Sequence, residues 1–137
     1  MIESANSLAS DDEPTLEDLM KRLRGLQLYM VRMEMVEPST DPIPVLTPHL
    51  REHLLWLRDQ ERSGALFLSG AHRDEVGWDG SGTAILRAKS RQEAIEIAET
   101  EPFHREGVRR NSVHGWELNE GHLRLSFQLF SDQYELS

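Results

Sequence analysis

The sequence predicts an α+β fold: a ferredoxin-like antiparallel sheet with two helices on one face, an added C-terminal strand and an N-terminal helix. Strand-like and helix-like segments follow one another in the order β-α-β-β-α-β, which is the split β-α-β arrangement. Each long helical segment stops at a glycine or just before a proline. The 137 residues, 38% hydrophobic and 28% charged, suffice for one domain with its own core.

Alternation of apolar and polar residues predicts five strands separated by turn residues. The predicted strands are 26–36, 65–71, 83–89, 111–118 and 122–130. Residues 72–82 are interpreted as a polar, glycine-rich connection between the second and third strands. The tripeptide at 119–121 fits a short hairpin loop with Gly121 in the left-handed conformation, which places the fourth and fifth strands side by side.

Helical spacing of apolar residues predicts three helices. The first is a short amphipathic helix that starts at a capping box on Thr15 and ends at Gly25. The second spans about 48–62, after a proline-rich loop, and the third spans 90–100. Pro102 disfavours helical geometry at the residue before it, so the third helix should end about there.

The domain organisation follows from these elements. Residues 1–25 are interpreted as an acidic, flexible arm that carries the short helix, and residues 26–137 as a single domain. Both long helices cover one face of the sheet, and nothing else in the domain can cover the other face. We therefore expect a homodimer joined through the sheet face, or a higher oligomer.

Composition excludes several classes of function. The net charge is −9, and six acidic residues precede the first basic one, Lys21, so nucleic-acid binding is not expected. No apolar run is long enough for a membrane helix, and the N-terminus has no secretory signal, so a membrane location is not expected. The absence of cysteine excludes disulfides and thiol catalysis. A cytoplasmic protein without a cofactor is the expectation.

Two ionisable residues fall on the apolar faces of the two long helices. At about 100° per residue, His53 lies within the stripe formed by Leu46, Leu50 and Leu57. On the same geometry Glu101 faces the sheet from the last turn of the third helix. If the two meet, the carboxylate orients the imidazole and leaves one ring nitrogen free for proton transfer. His53 and Glu101 are therefore the candidate catalytic pair, with a hydrogen-bonded core histidine as the alternative.

The same segments resemble a known family. The runs "HLLWLRDQERSGALFLSGA" (53–71) and "SRQEAIEIAETEPFHREGV" (90–108) resemble the two motifs of YciI-like proteins, the YCII-related domain family. The run "VHGWELNEGHLRLSFQL" (113–129) is similar to a subgroup with an Asn-Glu-Gly turn. The resemblance covers most of the chain and implies a dimeric α+β barrel, related to muconolactone isomerase-like enzymes.

The resemblance also implies a site. In the family it consists of the helix histidine and an aspartate before a proline; His53 matches the first, and Glu101 matches the second in position but not in type. Ser69 stands where the family often has a small residue facing the same cavity. Some family members resemble lyases that eliminate halide from chlorinated hydroquinones.

Other polar and aromatic residues give weaker signals. Trp56 and Trp78 are candidates for lining a substrate pocket, although bulky aromatic residues more often belong to a core or interface. His49 and His53 have the spacing of a zinc pair, but no third ligand is signalled and no metal site is predicted. The basic cluster at 104–110 is interpreted as a solvated loop.

Two functions are consistent with these observations. The first is a lyase or isomerase without a cofactor that performs histidine-based acid/base chemistry on a small organic molecule. The second is a non-catalytic module that binds a small ligand or assembles with a partner through its N-terminal helix.

Overall fold

A computed structural model describes residues 12–128 and 133–136. These residues fall into two compact units, Leu26–Glu117 and a second unit made of the residues before and after it. The helices are α1 (Leu16–Met20), α2 (Ile43–Ser63), α3 (Arg91–Glu99) and α4 (Pro102–Arg105), and the strands are β1 (Leu26–Met35), β2 (Leu66–Asp74), β3 (Gly77–Leu86), β4 (Arg109–Leu118), β5 (Leu125–Gln128) and β6 (Gln133–Leu136). This order confirms the predicted α+β fold and adds one short helix, α4, between α3 and β4, and one strand, β6.

Strands β1 to β4 form one sheet in the order β2-β3-β1-β4, which is the ferredoxin-like order. Strand β3 pairs antiparallel with both β1 and β2, with Val31 opposite Ala84. The core lies between this sheet and α3, where small alanines allow the helix to approach closely. Its buried members are Val31, Met33, Ala84, Leu86, Ala94, Ala98 and Val113.

Helix α2 begins at Ile43, five residues before the predicted start at Pro48. Pro44 does not prevent this early start, because the first N–H groups of a helix have no intrahelical acceptor. Pro44 lies in the first turn, and Pro48 lies inside the helix without ending it. Leu46, only 1% exposed, anchors the first turn in the core. The helix ends as predicted at Gly64, whose φ of 84° is left-handed.

The interpretation of residues 72–82 as a connection is wrong, because β2 and β3 continue through most of it as a long hairpin. The turn is closed by Asp74, whose carboxylate accepts hydrogen bonds from the N–H groups of Val76 and Gly77. The polar residues that suggested a loop are paired across the strands. His72, for example, bonds through its two ring nitrogens to Ser81 and Thr83, at 2.8 and 2.6 Å.

The described part of the added C-terminal strand is not a member of the four-stranded sheet. Strand β5 instead pairs antiparallel with β6 in a separate two-stranded sheet, and residues 129–130 of the predicted strand lie outside the described residues. The predicted loop residue Asn119 has other partners: its carbonyl accepts from the Arg24 N–H and its side chain from the Gly25 N–H.

Helix α1 is shorter than predicted. Thr15 caps it as expected, accepting a hydrogen bond from the Asp18 N–H, but the helix ends at Met20 rather than near Gly25. The arm predicted for residues 1–11 lies outside the described residues. Over the described ranges, no helix is long and apolar enough to cross a membrane.

Gly82 and Gly70 offer a matched test of sheet packing. A Cβ at Gly82 would lie 2.8 Å from the Gly70 carbonyl oxygen, a backbone atom, whereas a Cβ at Gly70 has nothing within 4 Å. We expect Gly82→Ala to lower the free energy of unfolding by about 1–3 kcal/mol, because the two strands must separate. Gly70→Ala should change it by less than about 0.5 kcal/mol. Urea denaturation of both variants measures the difference, and equal stabilities would contradict the close approach.

Candidate functional site

A cavity of about 210 Å³ lies between α2 and the β2–β3 hairpin. It exists because the sheet presents small residues there, so that no large side chain fills the space under α2. The lining residues are Met33, Leu50, His53, Leu54, Leu57, Ser69, Gly70, Ala71, Trp78, Gly82 and Arg109. The cavity is partly open to solvent, and one of its lining residues, Leu54, is 54% exposed.

His53 and Glu101 meet, although 48 positions separate them in the chain. His53 Nδ1 lies 3.0 Å from Glu101 Oε2. His53 is 8% exposed and lines the cavity, whereas Glu101 is completely buried and does not line it. The imidazole therefore stands between the cavity and the carboxylate.

Glu101 does not lie in the last turn of the third helix, as the sequence suggested, because α3 ends at Glu99. Its backbone is extended, with φ −68° and ψ 129°, and it is the N-cap of α4. Pro102 enforces this change: it excludes a helical Glu101 and fits the first position of the next helix. The carboxylate turns inward because it caps α4.

Four donors surround the Glu101 carboxylate, two at each oxygen. Oε2 accepts from His53 Nδ1 and from the Phe103 backbone N–H at 2.6 Å. Oε1 accepts from the His104 backbone N–H at 3.3 Å and from Asn111 Nδ2 at 3.0 Å. Each of the four partners donates an N–H to the carboxylate. The ionised form, which only accepts hydrogen bonds, satisfies all four donors.

The charge state of Glu101 follows from two opposing effects. Burial favours the neutral acid, but the hydrogen bonds from His53, Asn111 and the Phe103 N–H outweigh it and hold the pKa of Glu101 below its ordinary value of 4.5. An ionised carboxylate can only accept hydrogen bonds, so His53 Nδ1 must carry a proton. In neutral His53, Nε2 is then an unprotonated acceptor, the form of a general base.

Aromatic rings fix the plane of His53. The Phe103 ring stacks on it with centroids 4.5 Å apart, and the Trp56 ring stacks with centroids 6.4 Å apart. Trp56 is itself held by a 2.8 Å hydrogen bond from its Nε1 to Thr100 Oγ1. Trp56 thus supports the histidine from the protein side and does not line the cavity.

Of the five residues singled out from the sequence, three line the cavity: His53, Ser69 and Trp78. Trp78 also donates a 2.7 Å hydrogen bond to the Ser81 carbonyl, which fixes its ring on the β3 wall. Glu101 lies behind His53. The described residues contain no cluster of three or more histidine and acidic side chains that could hold a metal ion.

Arg109 is the main residue of the cavity that sequence reasoning missed. The interpretation of 104–110 as a solvated loop is wrong for Arg109, because this stretch contains the end of α4 and the start of β4. Arg109 is 4% exposed and lines the cavity, while its neighbour Arg110 is exposed. The signal was present as strand alternation: Arg109 is four residues from buried Val113 and shares its face.

The Arg109 guanidinium contacts few acceptors. Its Nε donates to the Gly80 carbonyl at 2.9 Å, and Nη1 lies 3.9 Å from the Met33 sulfur, a weak acceptor. Its central carbon lies 4.6 Å from the centroid of the Phe103 ring, a cation–π contact. Burial lowers the pKa of Arg109, an effect opposed by the charges of Glu101 and Asp79.

Comparison with known proteins shows a family and a fold to which this chain is similar. The model of a family described as the YCII-related domain matches residues 28–117. A solved structure with a similar fold is 5-chloro-2-hydroxyhydroquinone dehydrochlorinase (TftG) from Burkholderia phenoliruptrix AC1100, in complex with 2,5-dihydroxybenzoquinone. The TM-score is 0.52 at 18% identity, over 65% of this chain and 92% of that chain. No curated protein matches.

Glu101→Gln tests the buried carboxylate. The glutamine NH₂ would face a donor, so we expect the free energy of unfolding at neutral pH to fall by about 1–3 kcal/mol. Because folding lowers the Glu101 pKa, the carboxylate stabilises the protein above pH 4.5, and this contribution disappears as pH falls through the folded-state pKa.

The free energies of unfolding of wild type and Glu101→Gln should therefore become more similar below pH 4.5. Urea denaturation at several pH values measures it, with the exposed Glu99→Gln as the matched control. A difference that stays constant from neutral to acid pH would contradict an ionised Glu101.

Proposed function

We propose that this chain, which belongs to the YCII-related domain family, is a lyase or isomerase that transfers protons on a small organic molecule without a cofactor. The observation that carries the proposal is the 3.0 Å contact between His53 Nδ1 and the buried Glu101 carboxylate, with the same imidazole at the wall of an open cavity. His53 is the proposed catalytic residue. Glu101 acts through it as a positioning residue, in the place of the family aspartate.

The proposed chemistry begins with removal of a proton from the ligand by His53 Nε2. The imidazolium that results is stabilised by the Glu101 carboxylate at Nδ1, so no charge is left unpaired beside the aromatic rings. Return of the proton to a different ligand atom gives an isomerisation. Loss of a leaving group with the electron pair of the broken bond gives an elimination. Both outcomes need only a base that can also act as an acid.

The dimensions of the cavity favour a ligand with one ring. An apolar cavity of about 150 Å³ is enough for benzene, and this one measures about 210 Å³. Leucines of α2 and the Trp78 ring supply apolar contact, while Ser69 offers a hydroxyl at the β2 wall. The solved dehydrochlorinase takes its name from a chlorinated, hydroxylated ring of this size, and it suggests the first compounds to test.

His53→Gln tests the catalytic role. We expect the rate on any substrate found among chlorinated hydroquinones and ring lactones to fall by about a hundredfold to ten-thousandfold, because general acid/base catalysis is lost. Chloride release measures elimination from a chlorinated hydroquinone. Ultraviolet absorbance measures isomerisation of a ring lactone. The matched control is His49→Gln, one turn earlier in α2 and outside the cavity, which should retain the rate. Equal loss in both variants, or retention in His53→Gln, rejects the role.

A second candidate function is assembly through α1. No residue of this helix is buried, and its apolar side chains are exposed: Leu16 is 74% and Met20 59% exposed. Such a stripe suits a partner helix or a second copy of the chain. The sheet face offers a competing contact, since half-buried Met30 and Ile85 pair across β1 and β3 on the face opposite the core.

Light scattering after size-exclusion chromatography distinguishes the two contacts. We expect wild type at twice the chain mass of 15.8 kDa, as a homodimer through the sheet face. Ile85→Glu should then give the monomer mass, because a charge is placed in the interface, while the double variant Leu16→Ser/Met20→Ser stays dimeric. A monomeric double variant together with a dimeric Ile85→Glu would favour assembly through α1. Monomeric wild type would reject both contacts.

A further inference from the structure

Arg109 is a buried cation whose hydrogen-bonding capacity is largely unused. Among its five N–H groups, the Nε–H has an oxygen acceptor, Gly80 O, and one at Nη1 faces only the Met33 sulfur. No side-chain nitrogen of Arg109 is among the buried polar atoms that lack a partner, so the unpaired Nη2 reaches open space. The open space beside Arg109 is the cavity.

The charges of Glu101 and Asp79 act on Arg109, but neither carboxylate hydrogen bonds to it. The Glu101 carboxylate already accepts four hydrogen bonds, from His53, Asn111 and two backbone N–H groups. Asp79 accepts from the backbone and side chain of Ser81. No salt bridge joins Arg109 to an acidic side chain in the described ranges. A buried guanidinium without a carboxylate partner is an unusual arrangement, because burying a charge is unfavourable unless it is paired.

We propose that Arg109 binds an anionic oxygen of the ligand, a carboxylate or a phenolate, and thereby selects anionic single-ring molecules for the cavity. This inference rests on the proposed function in one respect, that the cavity is where the ligand binds. Its chemistry is that of the guanidinium: planar N–H groups pair with anionic oxygens through short, charge-assisted hydrogen bonds. The ligand anion would supply the partner that the protein does not.

The position of Arg109 suits a ligand that also contacts His53. The Arg109 central carbon and the His53 ring lie 4.6 and 4.5 Å from the centroid of the same Phe103 ring. Both residues line the cavity, so one small molecule can reach both. Arg109 would hold the anionic oxygen, while the proton to be removed faces His53.

General attraction of anions cannot produce the same selectivity. The chain carries a net charge of −9, so its average field repels anions and favours neutral or cationic ligands. A preference for an anion over its neutral isostere must therefore come from a local cation. Among the described residues that line this cavity, Arg109 is the single arginine or lysine.

Titration calorimetry with benzoate and its neutral isostere benzamide tests the proposal. We expect wild type to bind benzoate roughly tenfold to a hundredfold more tightly, the range expected for hydrogen bonds between charged groups. In Arg109→Met this ratio should fall to about one with little change for benzamide, and Arg109→Lys should restore part of it. 4-Nitrophenolate compared with nitrobenzene tells whether the preferred oxygen belongs to a phenolate or a carboxylate.

Two controls separate the possible failures. Arg110→Met removes the exposed neighbouring charge and should keep the full benzoate preference. His53→Gln should also keep it, so that loss of the acid/base function and loss of anion binding are read from different variants. Equal binding of both isosteres by wild type, or a preference that survives in Arg109→Met, overturns the proposal. If Arg109→Met does not fold, equal binding of both isosteres by wild type still overturns the proposal, and a reduced benzoate preference in Arg109→Lys supports it.

Discussion

The buried carboxylate of Glu101 is the group on which the arrangement of the site depends. It accepts hydrogen bonds from α2 through His53, from the first turn of α4 through two backbone N–H groups, and from β4 through Asn111. Helix α2 is distant in sequence from α4 and β4, and one acceptor group joins it to both. Asn111 illustrates how strongly the contacts favour the carboxylate: it directs its N–H groups to Glu101 and Ala98 and leaves its own Oδ1 without a partner among the described residues.

Periodicity predicted those parts of the structure that depend on burial. The apolar stripe of α2 placed His53 toward the interior, and strand alternation gave the four strands of the main sheet. The inward direction of Glu101 was predicted on the assumption that Glu101 belongs to α3. That helix ends two residues earlier, at Glu99. The true cause is a capping contact with the next helix, which a helical projection cannot represent. Its contact with His53 was not predictable either, because no local pattern relates residues 48 positions apart.

Local polarity was a poor indicator of structure where polar residues have specific partners. The hairpin residues His72 and Ser81 looked like a loop, but they hydrogen bond to each other across β2 and β3. Arg109 looked like part of a solvated cluster, but its side chain is enclosed by Phe103, Gly80 and Met33. In both cases the two-residue period of a strand was a better guide than composition.

The walls of the cavity come from separate stretches of chain: one residue of β1, a segment of α2, the facing parts of β2 and β3, and the first residue of β4. An unfolded chain cannot assemble these walls, so a molecule that fits them binds the native state alone. Mass action then raises the melting temperature of the protein, with about 2.7 kcal/mol gained at a free concentration of one hundred times Kd. Thermal denaturation of the intact chain against a collection of small acids and phenols can thus reveal what it recognises before any turnover is known.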